Sequence, residues 1–357
     1  MQNLINEAPA KKKNYDFIDA IRCIAMISIV AEHSVAAGGY EFPDGSPKYW
    51  TYILLVQLAK FGTISFFLLA GFLIGEKFAD YSPAEYLKRR VSTTFGPWLF
   101  WTIIYVIAII INLRVKERIY HDGQFNLDNI LYNIKLIYFY TNYWFIINFL
   151  ISITILLIFR KYLYSWILGA VLGLFTVFYA VNIHYEWIEP KHTTAVLGFV
   201  FFLWLGAQMR KHIDAMDKVI SRISYPLLLL ITLVTYGLAI FEIDMLNGRS
   251  ADMVNTLRFS NILFSLAFFM LLFKIKTFGL VNKLKPRQTT YGIYLIHYLV
   301  IIFLLPEIFI HFNIDVMALS VPQYILYKLI TFVLTYGITF GLVMAISHSR
   351  LKKLVGN

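Results

Sequence analysis

The sequence predicts an all-α, polytopic integral membrane protein with about ten transmembrane helices. Of its 357 residues, 59% are hydrophobic and only 15% are charged, whereas a soluble domain has roughly 25% charged residues. Apolar runs of roughly 17 to 25 residues, each long enough to cross a bilayer core, recur along the whole chain. The net charge of +11 comes from Lys and Arg between these runs, which indicates membrane topology rather than a nucleic-acid surface.

In chain order, a cytoplasmic segment of residues 1–16 precedes a membrane domain of residues 17–346 and a cytoplasmic tail of residues 347–357. The first apolar run is predicted to be a retained membrane span rather than a cleaved signal peptide, because the apolar core of a signal peptide does not normally contain acidic and basic residues. An outer loop of residues 114–142 is predicted to fold back as an interfacial amphipathic segment. The ten predicted spans cover residues 17–38, 53–75, 96–113, 143–159, 164–182, 194–209, 224–241, 259–275, 289–305 and 322–346.

The distribution of basic residues predicts that both termini are cytoplasmic. Roughly two thirds of the Lys and Arg residues fall in the segments on one side of these spans, which the positive-inside rule assigns to the cytoplasm. Cys23 is the only cysteine, so no disulfide within the chain is possible. The histidines are scattered without a His-x-x-x-His pair, and we therefore expect no metal site.

The first predicted helix carries an unusual polar face. At 100° per residue, the eleven steps from Arg22 to His33 end about 20° from the starting direction, with a rise of ~16 Å. Asp19 precedes Arg22 by one turn and can support it as an i,i+3 pair. One interpretation is an anion-binding arginine near the cytoplasmic mouth of a cavity and a proton-accepting histidine deeper inside. The alternative is that Arg22 reaches lipid phosphates while His33 bonds a neighbouring helix or lies at the outer interface.

Four segments in order resemble the acyltransferase-3 family of membrane acyltransferases. The first is residues 17–22 (Phe-Ile-Asp-Ala-Ile-Arg), followed by ten residues and His33. The second is residues 65–74 (Ser-Phe-Phe-Leu-Leu-Ala-Gly-Phe-Leu-Ile), followed by the basic cluster 86–90 and a proline. The third and fourth are residues 143–146 (Tyr-Trp-Phe-Ile) and 291–297 (Tyr-Gly-Ile-Tyr-Leu-Ile-His). The likeness extends from residue 15 to about residue 300.

The resemblance implies transfer of an acyl group, often acetyl, from cytoplasmic acyl-CoA to a hydroxyl of a sugar, cell-envelope glycan or lipid-linked saccharide. In that reading, acyl-CoA is a donor substrate rather than a permanently bound cofactor, and the protein lies in the cell membrane, where envelope assembly proteins are possible partners. His33 would act as general base or carry the acyl group covalently. Arg22, oriented by Asp19, would bind a donor phosphate or stabilise negative charge on the thioester oxygen.

Further site residues are predicted with structural alternatives beside them. Arg89 and Arg90 are candidates for the CoA phosphates, or ordinary positive-inside anchors. Acceptor binding is assigned to Tyr143, Trp144 and Asn148, although an interfacial aromatic belt explains the first two equally well. His297 either completes the cavity or bonds a neighbouring helix. Additional candidates for buried or interfacial charge are Lys60, Arg258 and Glu307.

Three positions depart from the family pattern, and two other functions stay open. Cys23 stands where the family usually has Gly, Ala70 where Ser is common, and Thr93 where a further Arg often follows. A transporter or flippase could use the same buried cations as a translocation path. A non-catalytic partner in polysaccharide assembly would tolerate the departures.

Overall fold

The computed structural model describes residues 15–77, 82–121, 123–277 and 279–357, and in these residues the regular secondary structure is helical, with no β-strand. The predicted cytoplasmic segment lies, up to residue 14, outside the described residues. The α-helices are α1 (Asp16–Ala36), α2 (Pro47–Leu58), α3 (Gly62–Lys77), α4 (Pro83–Tyr120), α5 (Leu127–Tyr140), α6 (Trp144–Ile158), α7 (Trp166–Tyr185), α8 (Val196–Lys211), α9 (Ile213–Arg222), α10 (Tyr225–Leu246), α11 (Phe259–Ile275), α12 (Gly279–Leu284), α13 (Pro286–Leu299), α14 (Leu305–Phe309) and α15 (Val321–Ser347).

Six helical stretches of the described chain are long and apolar enough to cross a membrane: Pro47–Glu76, Pro83–Tyr120, Trp166–Tyr185, Tyr225–Leu246, Pro286–Phe312 and Val321–Ser347. The bent pair of α5 and α6 would make a seventh. Each of the ten predicted spans overlaps a helix, but α8 and α11 have only 16 and 17 residues, and α1 carries several charges. The polytopic all-α fold is confirmed, while the count of ten and the cytoplasmic termini stay predictions.

Helix α1 lies at the centre of the bundle. It packs against α2, α3, α11, α13 and α15, and its Ala20, Ile21, Ala25 and Val30 are completely buried. Small side chains such as alanine let neighbouring helices approach closely without any hydrophobic driving force between them. The polar side chains of α1 are therefore held among protein helices rather than presented to lipid.

Helices α3 and α8 cross at a pair of glycines. A Cβ atom added to Gly71 would lie 1.9 Å from the carbonyl oxygen of Leu203, and one added to Gly206 would lie 2.1 Å from that of Leu68. Backbones this close tolerate no side chain, which is the usual reason for glycine at a membrane helix contact. Gly71 belongs to the segment 65–74, so this motif residue has a packing role.

The end of α13 is irregular. A π-helical turn, Val300–Leu304, joins it to the short helix α14, and a 3₁₀ turn, Ile310–Phe312, follows. The wider π turn offsets the chain between α13 and α14. Ile301 of this turn lines a cavity against α15, which is separate from the main cavity described next.

Candidate functional site

A cavity of about 740 Å³ runs along α1 between the helix ends on one side of the bundle and the α7–α8 and α10–α11 loops on the other. This volume is in the range of small-molecule sites. Helices α1, α3, α4, α6 and α13 contribute to its wall. The charged side chains and histidines on the wall are Arg22, Glu32, His33, Lys60, Arg90, Glu189, Lys191, His192, Asp252 and Arg287.

Three arginines from three helices line one end of this cavity. Arg22 donates to Asp19 over 2.8 Å, and Arg287, at the start of α13, donates to the other oxygen of the same carboxylate over 2.6 Å. Arg90 of α4 is held by the hydroxyl of Tyr86, 3.0 Å away. The three guanidinium groups lie close together and two of them share the Asp19 carboxylate, so their combined positive charge at this end of the cavity attracts anions. We call Arg22, Arg90 and Arg287 the arginine cluster.

His33 lies ~16 Å along the axis of α1 from Arg22 and faces the same cavity. Its Nδ1 is 2.8 Å from Nε2 of His297 on α13, and the two rings are nearly parallel, with an interplanar angle of 9°. Nδ1 of His297 is 2.9 Å from the carbonyl oxygen of Ile293. His297 is completely buried and is absent from the cavity wall.

This chain of hydrogen bonds determines the tautomers when both rings are neutral. The carbonyl of Ile293 can only accept, so Nδ1 of His297 carries a hydrogen and its Nε2 accepts. His33 must then donate from Nδ1, which leaves the lone pair on its Nε2. The pair therefore presents a proton acceptor rather than a donor at the free nitrogen of His33.

A buried ion pair stands beside this histidine. Lys60 donates to Glu32 over 2.6 Å, both side chains are largely buried, and both line the cavity. Each charge neutralises the other in a site where an unpaired charge would be costly. The pair joins the C-terminal half of α1 to the break between α2 and α3.

Arg258 is buried behind the cavity rather than on its wall. It donates to the carbonyl of Ala239 over 2.7 Å, to that of Asn255 over 3.2 Å, and to the side chain of Gln57 over 2.5 Å. It thus ties α2, α10 and α11 together. Glu307, by contrast, is exposed.

The other end of the cavity is built around His192, in the loop between α7 and α8. Its ring stacks on Trp144 with centroids 4.5 Å apart, and its Nε2 is 3.1 Å from the hydroxyl of Thr256. Asn148 donates to its backbone carbonyl over 3.1 Å. Burial lowers the pKa of His192, although the nearby Asp252 carboxylate acts in the opposite direction. Aromatic faces, hydroxyl and carboxylate together suit a polyhydroxyl ligand.

Tyr143 is completely buried and does not reach the cavity. Its hydroxyl donates to the carbonyl of Leu295 over 2.8 Å, and the neighbouring Asn142 donates to that of Tyr294 over 2.8 Å. The start of α6 is therefore fastened to α13 within one turn of His297.

The predicted site residues thus divide between the cavity wall and its support. Arg22, His33, Arg90 and Trp144 line the cavity. Asp19, His297 and Asn148 hydrogen-bond to lining residues, and Tyr143 fastens α6 to α13. Arg89 is exposed and absent from the wall. Arg287, His192 and Asp252 also line the cavity but were not predicted. No pattern in the sequence around them indicates that the fold brings them close to α1. No group of His, Cys, Asp and Glu in the described residues has a geometry for a metal ion.

A family model described as an acyltransferase domain matches residues 15–344 of the chain. This range contains every helix that contributes to the cavity wall. No curated protein and no solved structure gives a significant match.

Proposed function

Because the chain belongs to the acyltransferase-3 family, we propose that it is a membrane O-acyltransferase that moves an acyl group, acetyl being the simplest, from acyl-CoA to a hydroxyl of a saccharide. The observation that carries the proposal is the order of groups along one cavity. The arginine cluster lines one end, His33 lies ~16 Å further along α1, and the Trp144–His192 stack lies at the other end.

His33 supplies the general base. Its Nε2 lone pair accepts the proton of the acceptor hydroxyl while that oxygen attacks the thioester carbonyl. The tetrahedral intermediate then expels the CoA thiolate, which takes up the proton from His33, so that the ester and free CoA-SH are the products. His297 acts as a positioning residue, because its acceptor nitrogen holds His33 in the required tautomer. A direct attack of this kind needs no acyl-histidine.

The arginine cluster binds the donor's phosphates. An axial separation of ~16 Å is too long for Arg22 to touch a thioester that is attacked beside His33, so the phosphate role fits Arg22 better than the oxyanion role. Arg90 and Arg287 add charge at the same end, and Asp19 orients two of the three guanidinium groups. Arg89 contributes only to the general positive field of this surface.

The opposite end takes the acceptor. Trp144 offers an aromatic face for a sugar ring, and Asp252 and Thr256 offer polar contacts. Asn148 supports the His192 backbone, whereas Tyr143 has a packing role, since it fastens the start of α6 to α13. With the positive-inside orientation, the arginine cluster faces the cytoplasm and the acceptor approaches from outside the cell membrane. Saccharide precursors and envelope assembly proteins are then the expected partners.

The test is donor consumption by the purified protein in detergent, followed as free CoA thiol with a panel of saccharide acceptors. Wild type should release thiol in an acceptor-dependent manner, and His33→Ala should lower kcat by about 10²- to 10⁴-fold, the usual contribution of a general base. Arg22→Lys should instead raise the donor KM, because a lysine cannot reproduce the forked contacts of arginine. Monodispersity and thermal unfolding of each variant control for folding.

Two results would contradict the proposal. If saccharide moves across proteoliposome membranes without thiol release, the cavity is a translocation path. If the isolated protein neither binds nor turns over acyl-CoA, it serves another protein in the membrane.

A further inference from the structure

A second cavity of about 450 Å³ lies between the end of α1, the π turn and α14, and the first half of α15. Its wall is mostly apolar and includes Ile301, Leu305, Phe309 and Ile310. Lys328 of α15 is the only charged residue on the wall among the described residues. This second cavity shares no lining residue with the main cavity along α1.

The ammonium group of Lys328 is buried without an anionic partner. Its side chain is only 2% exposed, and no carboxylate of the described chain forms an ion pair with it. It donates to the carbonyl of Ala37 over 2.8 Å. The rings of Tyr40, Tyr324 and Tyr327 surround it at 5.2 to 5.8 Å. Carbonyl dipoles and aromatic faces compensate a cation only in part, so a negative group in the cavity would be favoured.

The mouth of the cavity is bordered by exposed apolar side chains. Ile310 and Ile314 line it and are 62% and 39% exposed, and the neighbouring stretches Pro286–Phe312 and Val321–Ser347 are long and apolar enough to cross a membrane. Exposed apolar side chains beside such stretches contact lipid chains. A ligand that enters here must therefore be amphiphilic.

We propose that this cavity is a binding site for one acidic membrane lipid, whose phosphate meets Lys328 and whose chain lies against Ile301, Leu305 and Ile310. The phosphate supplies the negative charge that the protein leaves out, and the bilayer supplies the lipid at high local concentration. Lys328 also bonds the backbone at Ala37, four residues after His33. A lipid bound here consequently steadies the end of α1 that carries His33.

Lys274 provides a matched control. Its ammonium group also caps helix-end carbonyls, those of Ile220, Ser221 and Ile223 at 2.6 to 3.0 Å, and it also lies over a tyrosine ring, that of Tyr225 at 4.9 Å. Lys274 lines neither the main cavity nor the second cavity. A lysine whose role is only capping should therefore behave like Lys274.

The experiment measures phosphatidylglycerol retained by the purified protein in native mass spectrometry, together with the shift in thermal unfolding caused by added lipid. Wild type should retain phosphatidylglycerol in preference to phosphatidylcholine. Lys328→Gln, which keeps a donor for Ala37 but removes the charge, should weaken that preference about tenfold, as expected for one charge-assisted hydrogen bond. Lys274→Gln should retain the lipid like wild type, and Ile310→Trp should reduce retention by narrowing the mouth.

Inorganic phosphate and glycerol phosphate identify the source of the anion. Neither should stabilise the protein as phosphatidylglycerol does, because neither can use the apolar wall. Equal stabilisation by free phosphate, equal retention of phosphatidylcholine, or unchanged retention by a folded Lys328→Gln variant would overturn the proposal. None of these readouts requires acyl transfer, so they stand or fall separately from the proposed enzymatic activity.

Discussion

Replacement of His297 tests whether the histidine pair sets the tautomer of His33, the proposed general base. In His297→Leu, the Nδ1–H of His33 loses its acceptor, which lies 2.8 Å away in the native protein. An unsatisfied buried donor costs about 1 to 3 kcal/mol, and the ring can escape this cost by taking the other tautomer or another rotamer. Either change removes the lone pair from the cavity, so kcat should fall roughly 10- to 100-fold, at 1.36 kcal/mol per factor of ten. The donor KM should not change.

His297→Gln distinguishes this role from simple packing. Its side-chain oxygen can accept from His33, so kcat should recover to within about fivefold of wild type, a loss of roughly 1 kcal/mol. Tyr143→Phe is the matched control, because it deletes a hydrogen bond to the same helix, at the Leu295 carbonyl, without touching either histidine. This variant should have slightly lower thermal stability and a kcat close to that of the wild type.

The assay is acceptor-dependent thiol release under donor saturation, with His33→Ala and the double variant measured beside it. Because His297 acts only through His33, His297→Leu should cause no further loss in the His33→Ala background. Full activity of His297→Leu, additive losses in the double variant, or equal losses in His297→Leu and His297→Gln would each refute the tautomer argument.

Three further predictions concern stability, measured by thermal or denaturant unfolding in detergent. Lys60→Met should destabilise by about 3 to 5 kcal/mol because Glu32 is left buried and unpaired, and adding Glu32→Gln should restore most of the loss; equal stability of single and double variants would contradict the pairing. Since burial lowers the pKa of His192, the folded state resists protonation, so stability should fall as pH drops below about 6.5, and His192→Gln should flatten that dependence. Gly71→Val should destabilise by about 1 to 3 kcal/mol or block folding, whereas Gly237→Val, which meets no atom within 4 Å, should not.

Features that depend on neighbouring residues were accessible from the sequence. Apolar runs located the helices, and the helical period placed Arg22 and His33 on one side of α1, where both line the cavity. The pairing of Asp19 with Arg22 follows from the same one-turn geometry. These inferences succeed because helix geometry converts sequence spacing directly into direction.

Helix ends were harder to predict from apolar runs alone. Helix α4 begins at Pro83, well before the predicted span, because Ser82 and Glu85 form a capping box and Pro83 suits a first helical turn. It also continues to Tyr120, past the apolar run. Both ends of this helix carry charged side chains. A search for apolar runs therefore detects only its middle part.

Contacts between distant segments could not be predicted from one sequence. His33 and His297 are 264 residues apart, and Lys60 and Glu32 are 28 apart. Each is an ionisable residue in an apolar run whose partner lies elsewhere in the chain, and only the packing of α1 against its neighbours brings the two together. His192 lies in a loop whose residues show no helical period, so spacing could not place it beside Trp144.

Arg287 bears on the departure of Thr93 from the family pattern. Thr93 lines the cavity but carries no charge, and its hydroxyl donates to the carbonyl of Arg89 within its own helix. Arg287 reaches the same end of the cavity from α13 and shares the Asp19 carboxylate with Arg22. An anion there meets the summed field of the arginines, and that sum depends on how many guanidinium groups lie close by rather than on the helix that supplies them. A threonine at position 93 is therefore compatible with a donor site in this chain, because a different helix supplies the third arginine.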